Sequence, residues 1–290
     1  MASTQALKGR IRSVSKTKQI TSAMQLVAAS RMRRAQDATK ASAPYTAAAR
    51  ELLAALATHV GVQEHPLFAK RPVKRRLLVV IASDSGLAGA YNSNLTRLYA
   101  NELLADDKNG VKNTTISIGR KAAQFVARLK DTEVIGSYEG LPDKLEGSEI
   151  HAIVETIESE FTSGAVDAVD IIYTEYVNTV KQVATVQRVL PAGANFDTEP
   201  AVKLRDAKYE PSTEEVLDAV AYRLVRAQLF QALLEARASE YSMRMMAMKN
   251  ATDNASDLID DLTLAMNKAR QGAITQELAE ISGGVEALND

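Results

Sequence analysis

Chemistry needs donors, acceptors or metal ligands that converge, and this sequence offers few. It has no cysteine and only three histidines, His59, His65 and His151. Zero cysteine excludes a disulfide scaffold, a zinc–thiolate site, an iron–sulfur cluster and thiol catalysis. Three dispersed histidines give no basis for a His-rich metal site. The one loop with chemical promise is "SDSGLAGAYN" (83–92), where a Gly-rich turn follows an apolar run. Backbone N–H groups in such a turn can cradle a phosphate. Gly86 and Gly89 give GxxG, however, and neither GxGxxG nor GxxxxGK[ST]. Loops of that kind are more often plain tight turns. Asp84 at the strand end could serve as acid or base, yet no histidine, lysine or second carboxylate can be named beside it. The sequence therefore predicts no catalytic residue, no cofactor and no metal. A nucleotide- or phosphate-binding α/β protein built on the Gly86–Gly89 loop is the alternative reading.

Charge points elsewhere. The net charge is −1, but residues 1–60 carry +8, residues 212–290 carry −6 and the middle carries −3. The basic first helix, together with Lys70, Arg71, Lys74, Arg75 and Arg76, could suggest nucleic-acid binding. A near-zero total and an acidic partner segment argue against it. Residues 1–36 also have the basic, amphipathic look of a targeting segment, but the helical pattern runs on past them. No stretch reaches 18 uncharged apolar residues, so no transmembrane helix is expected. The Met243, Met245, Met246 and Met248 cluster reads as adaptable packing.

Positioning elements follow from proline placement. All seven prolines lie between Pro44 and Pro211, so both ends are free of residues that break a helix interior. Leu7, Ile11, Val14, Ile20, Met24, Val27 and Met32 recur at helical spacing, and Tyr45, Ala49, Leu52 and Leu56 resume the stripe beyond Pro44. One helix is predicted over about 3–58. A second starts at Ser212, where Glu215 completes a capping-box pattern, and runs to Ser282, with Gly283-Gly284 as a possible stop. Between them, strand-like runs at 76–82, 114–119, 133–138, 168–177 and 183–190 alternate with helical stretches after the first three, the last two strands forming a hairpin. That alternation argues an α/β sheet, at least partly parallel. The expected division is 1–60, 61–211 and 212–290.

Helices entering and leaving one domain must lie antiparallel, and their opposite charges favour pairing. At 1.5 Å per residue they span roughly 84 Å and 105 Å. If they start level, the N-terminus falls beside about Met266, and the rest of the second helix overhangs alone. That overhang carries Ile274, Leu278, Ile281, Val285 and Leu288, an apolar stripe that marks a partner surface. The competing geometry has both helices break and fold back into a bundle.

"RIRSVSKTKQITSAMQLVAASRMRRAQ" (10–36) and "SEYSMRMMAMKNATDNASDLIDDLTLAMNKARQGAITQELAEISGGVEAL" (239–288), above all "ITQELAEISGG", carry a resemblance. Over essentially its whole length the chain resembles the gamma subunits of F-type ATP synthases. The resemblance implies a long antiparallel coiled coil of the N- and C-terminal helices plus a central Rossmann-like α/β domain. It implies one copy turning inside a ring of three alpha and three beta subunits, with the foot bound to the epsilon subunit and the membrane c-ring. Catalysis would belong to beta, and this chain would supply torque coupling, regulate ATPase activity and bind no nucleic acid. Residues matching the family's rotor–stator contacts are Arg270 and Gln271, with Thr275, Glu277 and Glu280 supporting them. Met24 would pack near that zone, and Arg33 and Arg34 would face an acidic segment of beta. Where the family commonly reads Asp-Arg-Gly-Leu-Cys-Gly, this chain has Ser85 in place of the arginine, which makes a beta contact from that loop doubtful. The plastid form's Cys-containing insertion is missing. The lack of a separate presequence ahead of Leu7 suggests a bacterium, with the complex on the cytoplasmic face of the plasma membrane.

Overall fold

The computed structural model describes residues 4–56, 65–130, 132–145, 147–192 and 213–289. It falls into two compact units, Met1–Ala28 with Arg244–Asp290, and Ala29–Met243. Helix α1 (Thr4–Leu56) and helix α5 (Thr213–Asn289) each contribute to both. Pro44 sits inside α1 without ending it. The α5 helix is unbroken over 77 residues, so the fold-back alternative does not occur. It also runs past Gly283 and Gly284, the expected stop. Each glycine lowers helix propensity by only about 1 kcal/mol, which weakens a helix without breaking it. Ser212 of the expected capping box and the expected α1 end at Thr58 lie outside the described residues.

The larger unit is built on a five-stranded sheet of order β3-β2-β1-β4-β5. Its elements are β1 (Arg75–Ile81), α2 (Tyr91–Asn109), β2 (Lys112–Ile118), α3 (Arg120–Val126), β3 (Glu133–Tyr138), α4 (His151–Thr162), β4 (Ala168–Tyr176) and β5 (Gln182–Leu190). Strands β1 to β4 pair in parallel, and β5 returns antiparallel to β4 as the expected hairpin. β1 reads as a continuous apolar run because both its faces are covered, as parallel sheets require. Leu77, Val79 and Ile81 point to one side, where α4, α1 and α5 pack Ile153, Ala49 and Leu229 against them. Leu78 and Val80 point to the other, against Leu95 and Tyr99 of α2 and Ala122 of α3. Gly119 turns β2 into α3 at φ 90°, and an added Cβ would stand 2.1 Å from the Ala82 carbonyl oxygen, so no other residue fits there.

The expected basic patch is mostly structural. Arg76 is buried, and its guanidinium bonds Asp170 as well as Glu102 Oε2 at 2.8 Å and Asp106 Oδ2 at 3.0 Å. Arg188 of β5 closes on the same Asp170 carboxylate, its Nη2 at 3.0 Å. Burial alone would lower the Arg76 pKa, but these three acids hold it above its usual value. Arg71 donates to the Phe161 carbonyl at 2.8 Å and lies over the Phe161 ring. The N–H groups of Lys74 and Arg75 both donate to Asp167 Oδ2 at 2.9 Å.

The smaller unit is a helix pair. Thr252 Oγ1 donates to Thr21 Oγ1 at 2.8 Å, and Leu7, Ala28, Met248 and Ala255 are its buried apolar side chains. Small and medium side chains at the seam let the two backbones approach closely. Its burial pattern is that of an antiparallel pair: Leu7 lies as far before Thr21 as Met266 lies beyond Thr252, and α5 is part-buried as far as Ala269.

Candidate functional site

From Arg270 to Ser282 every residue of α5 is exposed. This is the overhang that helix lengths predict, and it begins within a turn of the expected place. Among the described residues α1 has ended, so α5 continues without a partner helix. At about 100° per residue, Ile274, Leu278 and Ile281 fall within an arc of about 60°. They are 47%, 62% and 64% exposed. Polar residues flank this stripe, with Gln271 and Thr275 on one side and Arg270, Glu277 and Glu280 on the other. The bonds these groups make stay within the helix: Thr275 Oγ1 donates to the Gln271 carbonyl at 2.9 Å, and Gln276 Nε2 to Glu280 Oε1 at 3.0 Å. The side chains of Val285 and Leu288, which extend the stripe by spacing, lie outside the described set. Such a surface offers contact area and hydrogen-bonding groups. It can press an apolar ridge, with polar groups on both flanks, into an apolar sleeve.

The remaining expected contacts are placed differently. Met24 is part-buried on α1, one turn from Thr21 and therefore opposite the Thr252 region. Gln271 lies roughly 28 Å further along α5. The antiparallel register set by the Thr21–Thr252 contact therefore places Met24 at least five turns from the Arg270–Glu280 zone. Arg33 and Arg34 are both exposed on the part of α1 in the larger unit. Arg31, shortly before them on the helix, pairs with Asp143 at 3.4 Å and stands 5.8 Å over the Tyr241 ring. Tyr241 donates to Asp143 Oδ1 at 2.6 Å; burial, then that carboxylate, push its phenol up to about 12. Sequence reasoning missed this triad, since Asp143 sits in a loop with no periodicity to relate it to α1.

The loop after β1 is held from inside. Ser83 Oγ donates to the Ser85 carbonyl at 2.7 Å, and Asn92 Oδ1 accepts from the Ser83 N–H at 3.2 Å. Asp84 Oδ1 accepts the N–H groups of Arg120 at 3.0 Å and Gly140 at 3.2 Å. Its carboxylate therefore ties three loops together. Leu87 adopts φ 61° and is 62% exposed at the loop tip. No group of three or more potential metal ligands occurs among the described residues.

Comparison with known proteins agrees with this picture. A family profile described as ATP synthase matches residues 3–288. The ATP synthase gamma chain of Ralstonia nicotianae is 39% identical over 292 residues, covering 99% of this chain and all of that one. The gamma chain of Stenotrophomonas maltophilia is also 39% identical, over 289 residues, with the same shares covered. Among solved structures, a chain of the Tetrahymena thermophila mitochondrial ATP synthase central stalk and c-ring superposes with a TM-score of 0.64 at 25% identity, over 80% of this chain and 99% of that one. A chain of the Euglena gracilis mitochondrial enzyme gives 0.68 at 19% identity, over 98% and 94%, and supports the fold. The chain belongs to the ATP synthase gamma-chain family.

Proposed function

We propose that this chain is the central stalk of a rotary ATP synthase and contains no catalytic site of its own. The observation that carries the reading is the fully exposed 270–282 segment with its apolar stripe, which no described part of the chain covers. A ring of three alpha and three beta subunits supplies the sleeve that covers it, and 1–60 with 212–290 form the shaft. The 61–211 foot bears on the epsilon subunit and the membrane c-ring, so that proton flow turns foot and shaft together. A partner's equilibrium moves only when contacts differ between its states. The polar flanks provide that difference: as the asymmetric shaft turns, Arg270, Gln271, Thr275, Glu277 and Glu280 meet each beta subunit in turn and shift its affinity for nucleotide. Arg33 and Arg34 present positive charge to beta lower down, and Met24 keeps the helix seam seated between the two regions. ATP is made in beta, and the shaft regulates how fast.

The complex lies against a membrane through the c-ring, on the cytoplasmic side of a bacterial plasma membrane. Among the described residues no helix is long and apolar enough to cross a bilayer, which suits a peripheral subunit. The test is the stoichiometry of what co-purifies with the tagged chain from membranes, with MgATP hydrolysis assayed on the same material. One copy with three alpha and three beta chains, and ATPase activity, is expected. A lone chain that binds nucleotide by itself overturns the reading and favours the Gly86–Gly89 loop.

A further inference from the structure

The larger unit contains a feature that rotation does not require. Between α1, α5 and the segment linking β3 to α4 lies a cavity of about 500 Å³, and a second of about 450 Å³ shares Ser42 and Phe230 with it. Together they make one trough, within the size range of small-molecule sites. It exists because α1 presents Ala35, Ala38 and Ala41 where α5 presents Phe230 and Leu234, and the small side chains do not fill the gap. The walls are apolar and the rim is cationic, with Arg31, Arg34, Lys144 and Arg237 around the first cavity and Arg223 and Arg226 around the second.

The acid lining the trough is Asp143, and it is occupied by Tyr241 and Arg31. Arg237 donates to the Leu141 carbonyl at 2.9 Å and to that of Pro142, and Arg226 to the Gly147 carbonyl at 2.6 Å. Neutral carbonyls fix these guanidinium groups without cancelling their charge. Glu158 of α4, which acts on Arg226 electrostatically, stands outside the lining. The result is preorganised positive charge at the mouth of an apolar slot. Such an arrangement matches a ligand that carries an anionic group and a hydrocarbon chain together.

We propose that this trough binds a monomeric single-chain amphiphile, with a carboxylate or sulfonate at the Arg34–Arg237 rim and its apolar chain along Ala38, Leu145 and Phe230. An occupant spanning the trough would fasten α1 to α5 and to the β3–α4 segment. It would also mask the positive face of Arg34.

The test is calorimetric titration of the full-length chain with dodecanoate, kept below its micellar concentration. Saturable one-to-one binding is expected, at least tenfold tighter than for 1-decanol. Ala41→Trp, at an exposed position that fills the slot, is expected to weaken it at least tenfold. Arg34→Glu, also exposed, is expected to weaken it at least fivefold, while Leu278→Ala leaves it unchanged. Absence of saturation overturns the proposal. So does equal affinity in the Ala41→Trp and Arg34→Glu proteins, or binding seen only with anionic-lipid vesicles. The titration uses the isolated chain, so its failure leaves the rotor reading intact.

Discussion

Replacing Leu278 and Ile281 together by alanine separates a partner surface from a structural one. In the chain alone these side chains are 62% and 64% exposed, so their burial is still available to a partner. Full burial of a leucine or isoleucine side chain stabilises by about 1.5–3 kcal/mol. Nearly two thirds of that, for two residues and less the alanine Cβ, comes to about 2–3 kcal/mol. Assembly should weaken by roughly 30- to 150-fold. The chain alone should keep its melting temperature, because alanine is the better helix former and no core contact is lost. The assay titrates the variant into purified alpha and beta subunits and reads ATPase activity against concentration, with a thermal melt of the chain alone in parallel. An unchanged half-saturation point would refute the reasoning. A melt lowered by several degrees would do so differently, by placing the stripe inside the fold.

Other perturbations probe the foot. Asp170→Ala removes the carboxylate shared by Arg76 and Arg188, and removing one partner of a buried pair costs about 3–5 kcal/mol. A loss below about 1 kcal/mol in a denaturant melt would show that solvent reaches Arg76. Gly119→Ala places a Cβ against the Ala82 carbonyl at φ 90°, and more than about 2 kcal/mol should be lost; near-wild-type stability would mean that β1 and β2 separate easily. Burial, with help from Glu155, pushes Glu158 up to about 7 from 4.5. Its folded-state pKa is therefore the higher one, the native state holds the proton longer, and stability falls as pH rises from about 4.5 to 7. Glu158→Gln should flatten that slope, and an unchanged slope would assign it to another group.

Much of the fold was legible because its signals are local. The proline-free ends predicted the two long helices, and the 133–138 run marks β3 to the residue. The partly parallel sheet follows from alternating strands and helices, and the two-sided burial of β1 fits its continuous apolar run, whereas strand order is set by contacts distant in sequence. Where the reading fell short, the cause was a partner distant in sequence. Lys70 to Arg76 looked like a surface patch because charge is visible in a sequence and pairing is not; Arg76 meets its acids in α2 and β4. The α2 helix ends at Asn109, and Gly110 at φ 70° is its C-terminal cap. That glycine was a readable signal, as helices commonly end on a left-handed residue.

The candidate site divides in the same way. Overhang and stripe follow from helix length and period, which one sequence contains in full. The separation of Met24 from Gln271 depends on helix register, which the Thr21–Thr252 contact fixes and periodicity does not. The roles proposed for Arg270 and Gln271 rest on a partner surface, to which neither period nor register refers. The chemistry of the two regions nevertheless differs in the direction a shaft requires. In the foot, charged groups are buried and mutually committed, as around Asp170, where they tie β1, α2, β4 and β5 together. Along 270–282 the polar groups bond only within their own helix, so meeting or leaving a neighbour breaks no cross-helix bond of the shaft. A surface that must engage three equivalent partners in turn needs contacts of nearly equal and modest strength. In the proposed reading an apolar ridge with short polar flanks supplies them, whereas a buried ion pair like that at Arg76 would hold one position and stop the rotation.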